Sequence, residues 1–164
     1  MVKNIMVWQK KVWQEKFWQE KTLDEMNEEE WEALCDGCGR CCLVKLEDED
    51  SGEILKSDIH CKLFDCETAK CLKYEDRQKY VSDCVRLTPA KIKQLNWIPA
   101  SCAYRRIAEG RGLAWWHPLL CGEGETIKKV GISVVGRTVC ESEIKPDEFV
   151  DHIAYWPDFE PDER

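Results

Sequence analysis

The residues best suited to chemistry lie in one short stretch, Cys35-Asp36-Gly37-Cys38-Gly39-Arg40-Cys41-Cys42. Two cysteines separated by two residues aim both sulfurs at one ion from a tight turn, and two interlocked turns offer three sulfurs to one centre. Gly37 and Gly39 let the backbone bend there and leave its amides available to sulfur. Three cysteines so spaced, with a distant fourth, also hold cubane iron–sulfur clusters. The Cys-Pro fourth ligand of that arrangement is missing, so a ferredoxin is not implied. Zinc accepts four thiolates equally well. Cys42 directly follows Cys41, and adjacent side chains of an extended segment point to opposite sides. Either the two serve different centres or one binds while the other packs, which is a first sign of two metal sites.

The chain has eleven cysteines. The remaining ones, Cys61, Cys66, Cys71, Cys84, Cys102, Cys121 and Cys140, stand singly, and spacing does not pair them. One such cysteine alone is more often a small buried hydrophobe than a ligand. His60 and His117 are weaker candidates, and the aromatic and proline neighbours of His117 favour a packed, hydrogen-bonded ring. No Ser/His/Asp set, phosphate-binding glycine loop or paired-carboxylate motif stands out, so the reading leans away from an enzyme. The acidic run Glu47-Asp48-Glu49-Asp50-Ser51-Gly52 fits no calcium-loop spacing and reads as a turn.

The stretch Met1 to Lys21 mixes Trp with Lys, Gln and Glu and lacks the features of a secretory signal. The expected compartment is therefore the cytoplasm, where thiols stay reduced and a disulfide framework does not form. No apolar run reaches the roughly 20 residues that cross a bilayer, so no membrane partner is expected. A net charge of −8 makes nucleic acid a poor partner. Two basic groups, Lys91 with Lys93 and Arg105 with Arg106 and Arg111, read as solvated helix faces.

At 164 residues, with 43% hydrophobic and 34% charged residues, the chain fits one domain with a modest core. Val7-Trp8-Gln9-Lys10-Lys11, Val12-Trp13-Gln14-Glu15-Lys16 and Phe17-Trp18-Gln19-Glu20-Lys21 repeat every five residues. Tryptophans so spaced on a helix turn about 140° per step and form no single stripe. Residues 1–16 are read as a Trp-rich extension and 157–164 as an acidic tail, flanking the domain at 17–156. Asn27 should cap a helix leading through Trp31 and Leu34 into the cysteines. A hairpin is expected from Leu43–Leu46 and Ile54–Ile59. Thr88-Pro89 should open a helix through Leu95, and Cys102 to Ala108 another ending at Gly110. Trp115 to Leu120 reads as core, Val130 to Val139 as a β-strand, and Pro146 as the start of a last helix.

Cys35-x2-Cys38-x2-Cys41-Cys42 and the string Cys71-Leu72-Lys73-Tyr74-Glu75-Asp76-Arg77 resemble the CxxCxxCC family of zinc- or iron-chelating domains. Lys21-Thr22-Leu23-Asp24-Glu25-Met26, Cys84-Val85-Arg86-Leu87-Thr88, Cys102-Ala103-Tyr104-Arg105 and Trp116-His117-Pro118-Leu119-Leu120 bring it close to the YcgN-like bacterial proteins, over about Phe17 to Trp156. The resemblance implies eight metal-ligating cysteines, Cys35, Cys38, Cys41, Cys42, Cys61, Cys71, Cys84 and Cys102. It leaves Cys66, Cys121 and Cys140 outside the pattern. A related cluster accompanies flagellin lysine methylases, but a shared module does not fix a function.

The expectation is an α+β fold, mainly helical, with a β-hairpin after the cysteine cluster and an irregular Cys-rich middle stabilised by metal. The expected role is a protein chelating zinc or an iron–sulfur centre, with a slight lean to iron–sulfur from the three-cysteine spacing. Two alternatives stand beside it: a zinc-stabilised interaction module whose Trp-rich arm recruits a partner, and a thiol-redox enzyme using Cys35 and Cys38.

Overall fold

The computed structural model describes residues 16–158. The Trp-rich extension (apart from Lys16) and the acidic tail beyond Asp158 lie outside the described residues. The chain forms two compact units, each drawn from separate stretches of sequence. The α+β character is present, as short helices and small sheets.

The first unit is helical and, among the described residues, takes Lys16–Asp36, Leu87–Ile127 and Asp158. Its helices are α1 (Phe17–Glu20), α2 (Glu28–Ala33), α3 (Pro89–Gln94), α4 (Ala103–Ala108) and α5 (Pro118–Cys121). Their starts follow local chemistry. Asn27 Oδ1 accepts the Glu30 amide at 2.9 Å while Glu30 reaches back to the Asn27 amide at 3.0 Å, a reciprocal cap. Thr88 caps α3 with Pro89 in the first turn. These helices bury Phe17, Trp18, Leu23, Leu34, Ile92, Ile98, Tyr104 and Leu119 against one another. Phe17 and Trp18, the third copy of the five-residue repeat, are thus core residues. Arg106 departs from the expected solvated face: it is only 2% exposed, and its Nε donates to the Gly112 carbonyl at 2.9 Å. Arg105 and Arg111 are also tied down, on the Ile98 and Ala100 carbonyls at 2.7 Å each. The cost of burying a guanidinium is offset only when it is so bonded.

The second unit takes Gly37–Arg86 and Lys128–Pro157. The expected hairpin is there, β1 (Leu43–Glu47) against β2 (Ile54–His60), antiparallel. Asp48 Oδ1 holds its turn by accepting the Ser51 amide at 2.7 Å and the Ser51 hydroxyl at 2.8 Å. β3 (Phe64–Asp65) pairs with β4 (Lys70–Cys71), and β5 (Val139–Cys140) joins β2 in parallel. A short helix α6 (Arg77–Tyr80) follows β4 in the chain. The strand expected over Val130–Val139 is reduced to Val139–Cys140; Gly131 and Gly136 take left-handed φ values of 80° and 71° and turn the backbone instead. The last helix is a 3-10 helix, Pro146–His152. Leu43, Phe64, Val134 and Trp156 form one apolar cluster here, with Cys42, Cys61 and Cys66 packed beside them, and Ile59 and Ile132 are fully buried as well.

Candidate metal centre

Leu34, fully buried, ends α2, and its carbonyl accepts His117 Nε2 at 2.8 Å. The other ring nitrogen of His117 accepts the Leu119 amide at 3.1 Å, so the ring caps α5. Burial holds this imidazole below the usual histidine range, with the Leu34 carbonyl and Asp36 acting against it. His117 is therefore a packed, hydrogen-bonded residue, and both nitrogens are engaged.

Beyond Asp36 the chain enters the sheet unit through two left-handed glycines, Gly37 (φ 72°) and Gly39 (φ 79°). At Gly39 a Cβ would come within 2.7 Å of both Phe64 and Val134, so only glycine fits. The Cys38 carbonyl accepts the Val134 amide at 3.0 Å, and buried Arg40 donates from Nε to the Ile132 carbonyl at 2.9 Å. The buried β-branched residues of 132–134 thus brace the cysteine loop. Arg40–Cys42 forms a single 3-10 turn that runs into β1.

Backbone pairing then sets the places of the later cysteines. The Cys42 carbonyl accepts the Cys61 amide at 2.9 Å. Cys71 lies opposite Phe64 on β4, and the Leu72 amide bonds to the Leu63 carbonyl at 2.8 Å. A turn bonded from the Cys84 amide to the Val81 carbonyl at 3.1 Å, with Gln78 on the Cys84 carbonyl at 3.2 Å, fixes Cys84.

Burial and neighbouring groups shift the titration of several of these thiols. A hydrogen bond shared with the Cys41 sulfur pushes the Cys42 thiol far up, and burial and the charges of Cys41, Cys61 and Cys71 add to it. Burial raises Cys61; the Leu63 amide opposes this, and Glu141, Cys84 and Cys71 reinforce it. Burial also raises Cys84, against the charge and hydrogen bond of Arg77, with Cys71 and Cys41 adding to the rise. Mutual repulsion of this kind is what a cation would relieve. Lys45 shares its electrostatic environment with Cys38, Cys41 and Cys42; burial draws its pKa down while those cysteines hold it up.

Of the eight cysteines expected as ligands, Cys38, Cys41, Cys42, Cys61, Cys71 and Cys84 belong to the sheet unit, whereas Cys35 and Cys102 belong to the helical unit. Cys102 packs against the helical core. None of the eleven cysteines is in a disulfide. Among the described residues no three His, Cys, Asp or Glu side chains are already gathered tightly enough to hold an ion. The donor chemistry fits a thiophilic metal, but the ligands would have to close on it. Among the others, Cys66 is a core residue, Cys121 donates from Sγ to the Trp116 carbonyl at 3.2 Å, and Cys140 sits on β5 opposite His60. His60 itself holds Thr138 Oγ1 at 2.8 Å through Nδ1. Lys45 and Arg77 were not singled out by sequence reasoning. The available signals were a lysine two residues past Leu43 on the strand and an arginine closing the Cys71–Arg77 string.

Residues 34–103 match the CxxCxxCC family model, described as "Putative zinc- or iron-chelating domain". That match spans the loop and all eight expected cysteines. Over 135 residues the chain is 53% identical to a UPF0260 protein of Sinorhizobium fredii, covering 82% of this chain and 87% of that protein. It is 54% identical over 136 residues to a UPF0260 protein of Nitrobacter hamburgensis, covering 82% and 80%. A UPF0260 protein of Gluconacetobacter diazotrophicus is 53% identical over 135 residues, covering 82% and 83%. The chain belongs to the UPF0260 family. No solved structure matches it. Among the described residues no helix is long and apolar enough to cross a membrane.

Proposed function

We propose that this protein chelates a metal through the cysteines of its sheet unit, as a zinc site or an iron–sulfur centre, in the cytoplasm. The observation that carries this reading is the braced cysteine loop and the chain folded against it: Gly39 is closed in by Phe64 and Val134, the Cys42 carbonyl accepts the Cys61 amide at 2.9 Å, and Cys71 lies opposite Phe64 on β4. Cys42, Cys61, Cys71 and Cys84 are half-buried and Cys41 is exposed; thiols held near one another repel when ionised, and a bound cation turns that repulsion into attraction. Cys38 lies in the same loop, one turn before Cys41 and Cys42, with its carbonyl held by the Val134 amide at 3.0 Å. Cys35 and Cys102 enter the ligand set through the family motif. The three-cysteine x2 spacing favours iron–sulfur over zinc.

The thiol-redox alternative has less behind it. The loop Cys35–Cys38 leads into a 3-10 turn and a hairpin, not onto the start of a longer helix that would depress a thiol pKa.

The test compares Cys38→Ser and Cys140→Ser, each purified without oxygen and analysed for iron and zinc. Cys38→Ser should lose metal, and Cys140→Ser should keep the wild-type content. Equal retention in both would refute the ligand assignment.

A further inference from the structure

We propose that this chain associates with a second copy of itself, head to tail, through two exposed patches of the sheet unit that carry opposite charge. The inference is independent of the chelating reading and needs no metal.

The acidic patch lies at the end of the sheet unit. After the 3-10 helix Pro146–His152 the chain runs extended beside β2. Ile153 bridges Ser57, the Ala154 amide bonds to the Lys56 carbonyl at 2.9 Å, and Trp156 Nε1 donates to the Ser57 carbonyl at 2.9 Å. Side chains alternate along such a segment. Ala154 and Trp156 pack into the apolar cluster, so Ile153 and Tyr155 face outward, and Tyr155 is 87% exposed. Val150, three residues before Ile153, is also exposed. It lies on the same side, because positions i and i+3 eclipse on a 3-10 turn. Residues 146–156 hold Asp147, Glu148 and Asp151 and no lysine or arginine. An apolar ridge thus stands in an acidic field.

The basic patch lies on residues 70–80. They hold Lys70, Lys73, Arg77 and Lys79 against Glu75 and Asp76, a positive segment in a chain of net charge −8. Lys79 is spent on Asp76 at 2.5 Å. The apolar side chains here, Leu72, Tyr74 and Tyr80, are exposed, yet they are held in place. The Leu72 amide bonds to the Leu63 carbonyl at 2.8 Å. Arg77 Nη1 donates to the Tyr74 carbonyl at 2.5 Å, and the guanidinium lies 4.3 Å from the centre of the Tyr74 ring. Tyr80, three residues on, shares the face of α6 with Arg77.

Apolar side chains grouped within a charged rim mark interaction sites, and tyrosine and arginine are enriched there. Charge selects the occupant. Among the described residues Lys70, Lys73, Asp147 and Asp151 enter no salt bridge. Opposite fields across an interface fix partner and register. An acidic partner, nucleic acid included, satisfies the basic patch alone, and a basic partner only the acidic one. A second copy satisfies both, its basic patch on the acidic ridge of the first, which is a contact between unlike surfaces.

The experiment is sedimentation of the full chain over a concentration series, without oxygen and in reductant so that no disulfide joins copies. Salt is set at about 0.1 M and about 1 M, where the screening length is about 10 Å and about 3 Å. The wild type is compared with Lys70→Glu/Lys73→Glu, with Asp147→Lys/Asp151→Lys and with Tyr155→Ser. The wild type should rise above the 19.2 kDa of one chain, less so at high salt. Each charge reversal gives both patches of a copy the same sign and should weaken association at least about tenfold. An equimolar mixture of the two reversed chains should restore it, because each then offers the other both complementary patches. Tyr155→Ser should weaken association about tenfold as well. A wild type that stays at 19.2 kDa overturns the inference. So do reversed chains that associate like the wild type, or a mixture no heavier than its parts. All the substituted side chains are exposed, and circular dichroism checks each fold. Should a reversed chain not fold, Tyr155→Ser decides, and association equal to the wild type overturns the inference.

Discussion

In the helical unit Phe17, Trp18, Leu34, Ile92 and Leu119 bury apolar surface against one another, and capped helices deliver them there. In the sheet unit the buried apolar residues are Leu43, Ile59, Phe64, Ile132, Val134 and Trp156, and three of the side chains packed on the cluster of Leu43, Phe64, Val134 and Trp156 are cysteines. The first unit is held by the hydrophobic effect in the ordinary way. The second places sulfur where a larger core would place leucine or isoleucine. Small regions with too little apolar area are commonly completed by disulfides or metals. On the proposed function a metal completes the sheet unit, and the comparison predicts that the two units respond differently to its loss.

The largest effect should follow metal removal. Structural zinc contributes on the order of 10–16 kcal/mol in small domains. After chelation, amides of Leu43–Glu47 and Ile54–His60 should lose hydrogen-exchange protection while those of Ala103–Ala108 keep theirs. Equal loss in both units would break the comparison. Next comes Phe17→Ala, at about 3–5 kcal/mol for a buried phenylalanine. Urea denaturation should give the same loss with and without chelator; a loss confined to the loaded protein would contradict a separately stabilised helical unit. Gly39→Ala should cost about 2–4 kcal/mol, from a left-handed backbone and from contacts with Phe64 and Val134. It should also weaken metal uptake, because the same turn carries Cys38 and Cys41. An unchanged zinc affinity would separate the turn from the site.

The smallest effect is a slope with pH. His117 binds a proton less readily folded than unfolded, because burial disfavours its charged form. Stability from this group is full above the unfolded value of about 6.5. It falls as the pH drops from there towards the lower folded value, since the unfolded chain takes up the proton first. Subtracting the denaturation profile of His117→Gln from that of the wild type should isolate a loss below about pH 6.5. A flat difference would show that the ring titrates alike in both states.

What was legible in the sequence was local. Asn27, Thr88 and Pro89 start helices through their own side chains, and the Asp48 turn sets the hairpin within a few residues. The cysteine loop was legible for the same reason. Three things were not, because each depends on contacts distant in sequence. Ile132 and Val134 have the bulk of strand residues, but they are buried as a brace for the Cys38 loop, between glycines that turn the chain. Arg106 reads as a solvated charge until the Gly112 carbonyl is seen to receive it. The backbone placement of Cys61 against Cys42, and of Cys71 opposite Phe64, comes from strand pairing and turns that single-residue spacing does not encode.

The most direct measurement is the iron, zinc and acid-labile sulfide content of the wild-type chain, isolated without oxygen and shown by circular dichroism to be folded. A thiolate-held centre predicts at least about one zinc per chain, or iron with sulfide in cluster proportion and a brown colour. Folded protein holding neither zinc nor iron would contradict the account.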